Sequence, residues 1–100
     1  MNDFFDFKNL FPAVLRKYKM SREARAGQVC TRFKVLAEDV MGEGSSEVVS
    51  AKFFKNNTLY ISVPSSVWAQ RVFNFRHQII TRLNEELGSE EVYEIRTVLD

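Results

Sequence analysis

The reactive vocabulary of this sequence is cationic. Arg16, Lys17, Lys19, Arg22 and Arg25 set five positive side chains within ten residues. Each cation laid against a phosphate releases a counterion, so the cluster is a candidate polyanion contact whose affinity falls with salt. Tyr18 is the one aromatic inside it, which gives little basis for base readout and points to non-specific contact. Lys52, Lys55, Arg71 and Arg82 form a second set within residues 51–84, a stretch with five cations and no acid. They are candidates for a basic rail running from a hairpin onto a helix, against the plainer reading of a solvated positive face. Phe4, Phe5, Phe7 and Phe11 put four aromatics in the first eleven residues. They are candidates for a partner groove of the kind an amphipathic helix fills, against packing into the core.

Covalent and metal chemistry find no such support. Ser65-Ser66 has no His or Lys base at a defined spacing and reads as a helix cap rather than a nucleophile. Cys30 and His77 are the single Cys and the single His, which excludes an internal disulfide and gives no zinc-ligand set at a recognised spacing. Cys30 reads as a small buried hydrophobe. No carboxylate pair sits in an apolar setting, so neither an enzyme nor a cofactor is expected.

The elements that must position these residues belong to a chain of 100 residues, 45% hydrophobic and 27% charged. That is the size of a single domain, expected over residues 1–100 with residues 1–9 as a loose N-terminal arm. The net charge of +1 hides blocks: +5 over residues 1–36, −4 over 37–50, +5 over 51–84 and −5 over 85–100. Blocks of this kind give basic and acidic faces to a chain whose pI is only 7.9, so a polyanion partner stays open. The acidic end reads as a solvated surface that also turns nucleic acid away from one side. Charges interrupt every apolar run, which leaves no membrane span or signal-peptide core and predicts a cytoplasmic protein.

Apolar residues from Phe4 to Tyr18 step by three or four, and Pro12 places the firm start of a first helix near Leu10 or Phe11. A second helix is predicted from about Ser21 to Met41 through Val29, Phe33, Leu36, Ala37 and Val40, stopped by the Gly42–Ser46 cluster. The period then becomes two. Val48–Lys55 and Thr58–Val63 read as strands joined by Asn56-Asn57, which tolerates the positive φ of a tight hairpin. Leu59, Ile61 and Val63 face one way and Tyr60 and Ser62 the other. From Ser65 or Ser66 one long helix is predicted to Leu87, with Trp68, Val72, Phe75, Ile79, Leu83 and Leu87 in a single arc widened by Phe73 and Ile80. Trp68 in that arc reads as core rather than as a stacking platform. Arg76 falls in the same arc, where it must snorkel or pair with an acid such as Glu94, against direct phosphate contact. Val92–Leu99 alternates as a closing strand. The fold class is therefore α+β in the order helix-helix-strand-strand-helix-strand, a three-stranded sheet with helices packed on one face.

The segment Thr58 to Gln70, reading Thr-Leu-Tyr-Ile-Ser-Val-Pro-Ser-Ser-Val-Trp-Ala-Gln, followed by Leu83-Asn84, Leu87-Gly88, Val92 and Ile95-Arg96, resembles the DciA family of bacterial replicative-helicase loaders. Leu10, Val14-Leu15, Lys17, Val29 and Gly42 match more loosely. Phe33 stands where the family tends to have Trp, and Arg71 where it commonly has an acid. No long basic extension follows the closing strand in these residues. The resemblance implies a KH-like domain acting as an adaptor without catalysis, with a replicative helicase as partner and weak, non-specific contact to single-stranded or duplex DNA. The predicted element order agrees with a KH-like fold. The phosphate-clamping Gly-x-x-Gly loop of KH domains is absent, since Gly27, Gly42, Gly44 and Gly88 never stand three apart, and any nucleic-acid contact must use another surface. The alternatives are an RNA- or ribosome-associated KH-like protein, similar to ribosome-binding factor A in element order, and a purely protein-interaction domain.

Overall fold

Ser21 adopts extended backbone angles, and its hydroxyl accepts from the Ala24 amide at 3.1 Å, capping the first helix of the computed structural model. The structure describes residues 21–100; the expected opening helix and N-terminal arm lie outside the described residues. Helix α1 (Arg22–Met41) buries Val29, Phe33, Leu36, Ala37 and Met41, one apolar stripe at helical spacing. Val40, expected in that stripe, is half-buried at its edge.

The Gly42–Ser46 cluster does more than stop α1. The Glu38 carboxylate accepts the Gly44 and Ser46 amides at 3.0 and 2.7 Å. It thereby satisfies donors in the first turn of a short helix, α2 (Ser45–Val48), which displaces the start of the next strand from Val48 to Ser50. These amides, Ser46 first, hold the Glu38 carboxyl below the usual carboxylate range.

Strands β1 (Ser50–Lys55) and β2 (Thr58–Val63) form the expected antiparallel hairpin. Asn56 and Asn57 take φ of 53° and 61°, the left-handed pair that matches the twist of the flanking strands. The register slips between Ala51 and Phe53, leaving Lys52 as the extra residue of a β-bulge. Ala51 and Phe54 can therefore both pack on the core while Phe53 stands opposite Tyr60 on the other face. Leu59, Ile61 and Val63 are completely buried or nearly so, as their alternation predicts.

The single helix expected from Ser65 or Ser66 to Leu87 is two helices, α3 (Ser66–Asn74) and α4 (Arg76–Leu87), divided at Phe75. Ser65 caps α3 by accepting the Trp68 amide at 3.3 Å. At Phe75 the amide is shared between Arg71 O and Val72 O at 3.2 and 3.1 Å, the tightened turn common at helix ends. The bend has a packing cause: α3 lies against β2 and β3, whereas α4 lies along α1. One straight rod cannot follow both directions while burying Val72, Ile79 and Leu83 together. It also turns Phe73 outward, so this member of the expected arc is an exposed side chain. Arg76 does not pair with Glu94. Its Nη1 donates to Phe73 O at 2.9 Å, and its guanidinium lies 3.9 Å from the Phe73 ring centroid, so the snorkelling alternative describes it.

Strand β3 (Glu94–Leu99) pairs parallel to β2, giving the order β1-β2-β3. A parallel neighbour requires a crossover, and α3 with α4 supplies it. The strand starts two residues later than expected because Asn84 claims Val92. Asn84 Oδ1 accepts the Glu91 and Val92 amides at 3.0 and 2.9 Å, and its Nδ2 donates to Val92 O at 3.0 Å. The architecture is mixed, with helices packed against a three-stranded sheet, and is consistent with a small α+β KH-like fold.

Two predictions follow from these braces. Asn84→Ala leaves two loop amides and one carbonyl without their partner, and is expected to cost about 2–3 kcal/mol of unfolding free energy in urea titrations. Because the folded-state pKa of Glu38 is depressed, its contribution is present above the unfolded value of about 4.3 and is lost as pH falls through the folded value. Glu38→Gln should therefore show a shallower acid loss of stability than the parent below about pH 4.3, measured by the urea midpoint against pH.

Candidate nucleic-acid interface

The first turn of α1 and the tip of the β1–β2 hairpin enclose a cleft of about 470 Å³, with Arg22, Arg25, Lys55 and Phe54 in its lining. Three of the nine cations singled out from the sequence thus come together around one concavity. The positive end of the α1 dipole adds to their field. Arg25 is ion-paired with Glu91, and their side chains are only 17% and 13% exposed. Glu91 O accepts Asn57 Nδ2 at 2.8 Å, so the same residue ties α1 to the hairpin tip. Arg22 and Lys55 are exposed and enter no ion pair among the described residues.

The remaining cations divide. Arg16, Lys17 and Lys19 lie outside the described residues, as do Phe4, Phe5, Phe7 and Phe11. Lys52 is exposed at the bulge of β1. Arg71 and Arg82 stand at the opposite end of α1, about 25–30 Å from the cleft by the rise of a helix of this length. Arg71 Nη2 donates to Met41 O at 2.6 Å, with its guanidinium 5.2 Å from the Trp68 ring centroid. Arg82 Nη2 lies 3.4 Å from Asp39 Oδ2 in an exposed pair. No basic residue occupies the last turn of α1, and these two arginines from α3 and α4 meet its negative end in their place. The rail expected from Lys52 through Arg82 is therefore split between the two ends of α1.

Trp68 is half-buried and packs on the core margin, and Cys30 is half-buried with burial pushing its thiol up. Two features had no separate signal in the sequence: the Arg25–Glu91 pair, which joins residues 66 apart in the chain, and the Phe53–Tyr60 stack on the outer sheet face, ring centroids 4.4 Å apart. Among the described residues no group of three or more His, Cys, Asp or Glu side chains is placed to hold a metal ion, and no helix is long and apolar enough to cross a membrane.

Residues 7–97 match the family model described as "Dna[CI] antecedent, DciA". The chain belongs to the DciA family, and at the level of that family it is a replication adaptor associated with the replicative helicase. Comparison with curated protein sequences gives no match.

Glu91 is the structural keystone of the cleft. Glu91→Ala takes the carboxylate away from a largely buried guanidinium and is expected to cost about 1–3 kcal/mol in urea unfolding, with Glu91→Gln recovering part of the loss through a neutral hydrogen bond.

Proposed function

We propose that the chain is a non-catalytic adaptor that binds the replicative helicase and holds DNA weakly through the cleft between α1 and the hairpin tip. Family membership supports the helicase half. The observation that carries the DNA half is the convergence of Arg22, Arg25 and Lys55 on one cleft at a helix N-terminus. In sequence, Arg16, Lys17 and Lys19 add three cations within five residues before Ser21, and they belong to the proposed phosphate contact. Arg25, already paired with Glu91, shapes the cleft, while Arg22 and Lys55 meet phosphate. Arg71 and Arg82 act on the end of α1 and belong to this reading only as a distant positive surface, with Lys52 between. The Phe4, Phe5, Phe7 and Phe11 segment is proposed for the helicase.

The test is a salt titration of binding to fluorescent single-stranded and duplex DNA, with hairpin RNA in the same buffer. Binding should weaken linearly in log–log form, and Arg22→Glu with Lys55→Glu should lower affinity and flatten the slope by about two. Unchanged affinity and slope in that variant, or no DNA binding by the parent at low salt, would overturn the cleft. Preference for hairpin RNA would turn the assignment to RNA. In parallel, the parent should retain the purified replicative helicase in a pull-down, and serine at Phe4, Phe5, Phe7 and Phe11 should abolish retention. Equal retention by both would remove that segment from the interface.

A further inference from the structure

Strand β3 is an edge strand whose far side is open among the described residues. The Glu94 and Asp100 amides donate to Asn57 O and Val63 O at 3.3 and 3.0 Å. By strand alternation the amides and carbonyls of Ile95, Thr97 and Leu99 therefore point away from β2. The two edges of the sheet differ. β1 is blunted by its bulge, with a lysine as the extra residue. β3 runs its six residues in unbroken register, without bulge, proline or lysine. Leu99, beside buried Val63 on the helix-bearing face, is 63% exposed. An unblunted edge of this kind is a template for another strand.

Charge decides which strand fits. Glu94, Arg96, Val98 and Asp100 alternate onto the outer face, where Asp100 Oδ2 accepts Ser62 Oγ at 2.9 Å. Glu94 and Arg96 form an exposed pair of small worth, so Arg96 can meet a second carboxylate. In antiparallel pairing of two copies about a two-fold axis, Ile95, Thr97 and Leu99 supply the hydrogen-bonded pairs. The outer-face residues then meet between them, where side chains stand closer. Three registers keep more than one bonded pair within residues 95–99. Thr97 against Thr97 sets Glu94 opposite Asp100, acid on acid. Ile95 against Thr97 sets Arg96 opposite Arg96. Thr97 against Leu99 sets Arg96 opposite Asp100 on both sides of the axis, with Val98 against Val98 at its centre. Only this last register places unlike charges together, and in it the strand is its own complement.

We propose that two copies of the chain pair antiparallel through β3, Thr97 of each opposite Leu99 of the other. The two three-stranded sheets become one continuous sheet with the helices of both copies on the same face. No residue of the cleft takes part, so this pairing is independent of the DNA reading. A single strand pair is a small contact, and the dimer is expected to depend on concentration rather than to be obligate.

Sedimentation equilibrium of the full chain over a concentration series reads the association. The parent should show a reversible monomer–dimer equilibrium. Arg96→Asp and Asp100→Arg each set like charges opposite one another and should weaken the dimer about tenfold or more. In an equimolar mixture of these two variants every altered charge meets its opposite, and association should return close to the parent's. Thr97→Pro removes an amide that the monomer does not use, so it should abolish the dimer while the urea midpoint stays near the parent's. The mixing experiment keeps its force if the proline variant fails to fold. A parent that stays monomeric at its highest soluble concentration, or a mixture no stronger than its components, would overturn the pairing. So would a folded Thr97→Pro that still dimerises. A monomeric parent whose helicase retention is lost in folded Thr97→Pro would give the edge to a helicase strand instead, and self-pairing would be wrong.

Discussion

Strand β2 is hydrogen-bonded on both sides, antiparallel to β1 and parallel to β3, and the parallel pairing governs the rest. A hairpin could have turned back at once, but a parallel neighbour obliges the chain to travel the length of the sheet before re-entering it. That return is α3 and α4. It brings Val72, Ile79 and Leu83 over Leu59, Ile61 and Val63, where α1 adds Val29, Phe33 and Leu36. Because the crossover and α1 share one face, the other keeps its rings and charges outside the core.

The same arrangement sorts the cations by what they can still do. Arg71 and Arg82 reach back from the crossover to the carbonyl end of α1, and Arg25 is held by Glu91 at its amide end. These are internal assignments made by the fold's own dipoles and carboxylates. Arg22 and Lys55 carry no such obligation among the described residues, and the cleft lies between them. A basic block in the sequence is thus divided into charges that hold the structure and charges that remain for a ligand.

Which features were legible in the sequence follows from how local their causes are. The Ser65 cap, the α1 stripe, the Asn56-Asn57 turn and the alternation of β2 depend on residues within a few positions, and each is readable in the sequence. The break at Phe75 depends on α3 and α4 needing different neighbours; the helical wheel of residues 68–87 is continuous and gives no sign of it. Glu38 looked like part of an acidic block, yet its partners are amides six and eight residues on, in a loop whose course the sequence did not specify. The cations stand out in the sequence as a population, but their grouping does not, because Glu91, Asp39 and Met41 select among them only after folding. Asn84 in the Leu-Asn pair of the family resemblance is a three-bond anchor for the loop before β3, a structural role that the motif does not announce in sequence.

The bulge at Lys52 divides β1 into two reading frames. Ala51 points to the core before it and Phe54 after it, three positions apart where an unbroken strand would allow only an even step. Any other side chain at position 52 leaves that offset in place, since the offset is a matter of count and not of identity. Removing the codon for residue 52 does not: Ala51 and Phe54 would then stand two positions apart, and the strand would regain a single phase with both still inward and Phe53 still outward. The outward placement of Phe53 therefore survives both a substitution at position 52 and the loss of that residue; Lys52 is an insertion that the strand accommodates, not one on which its facing depends.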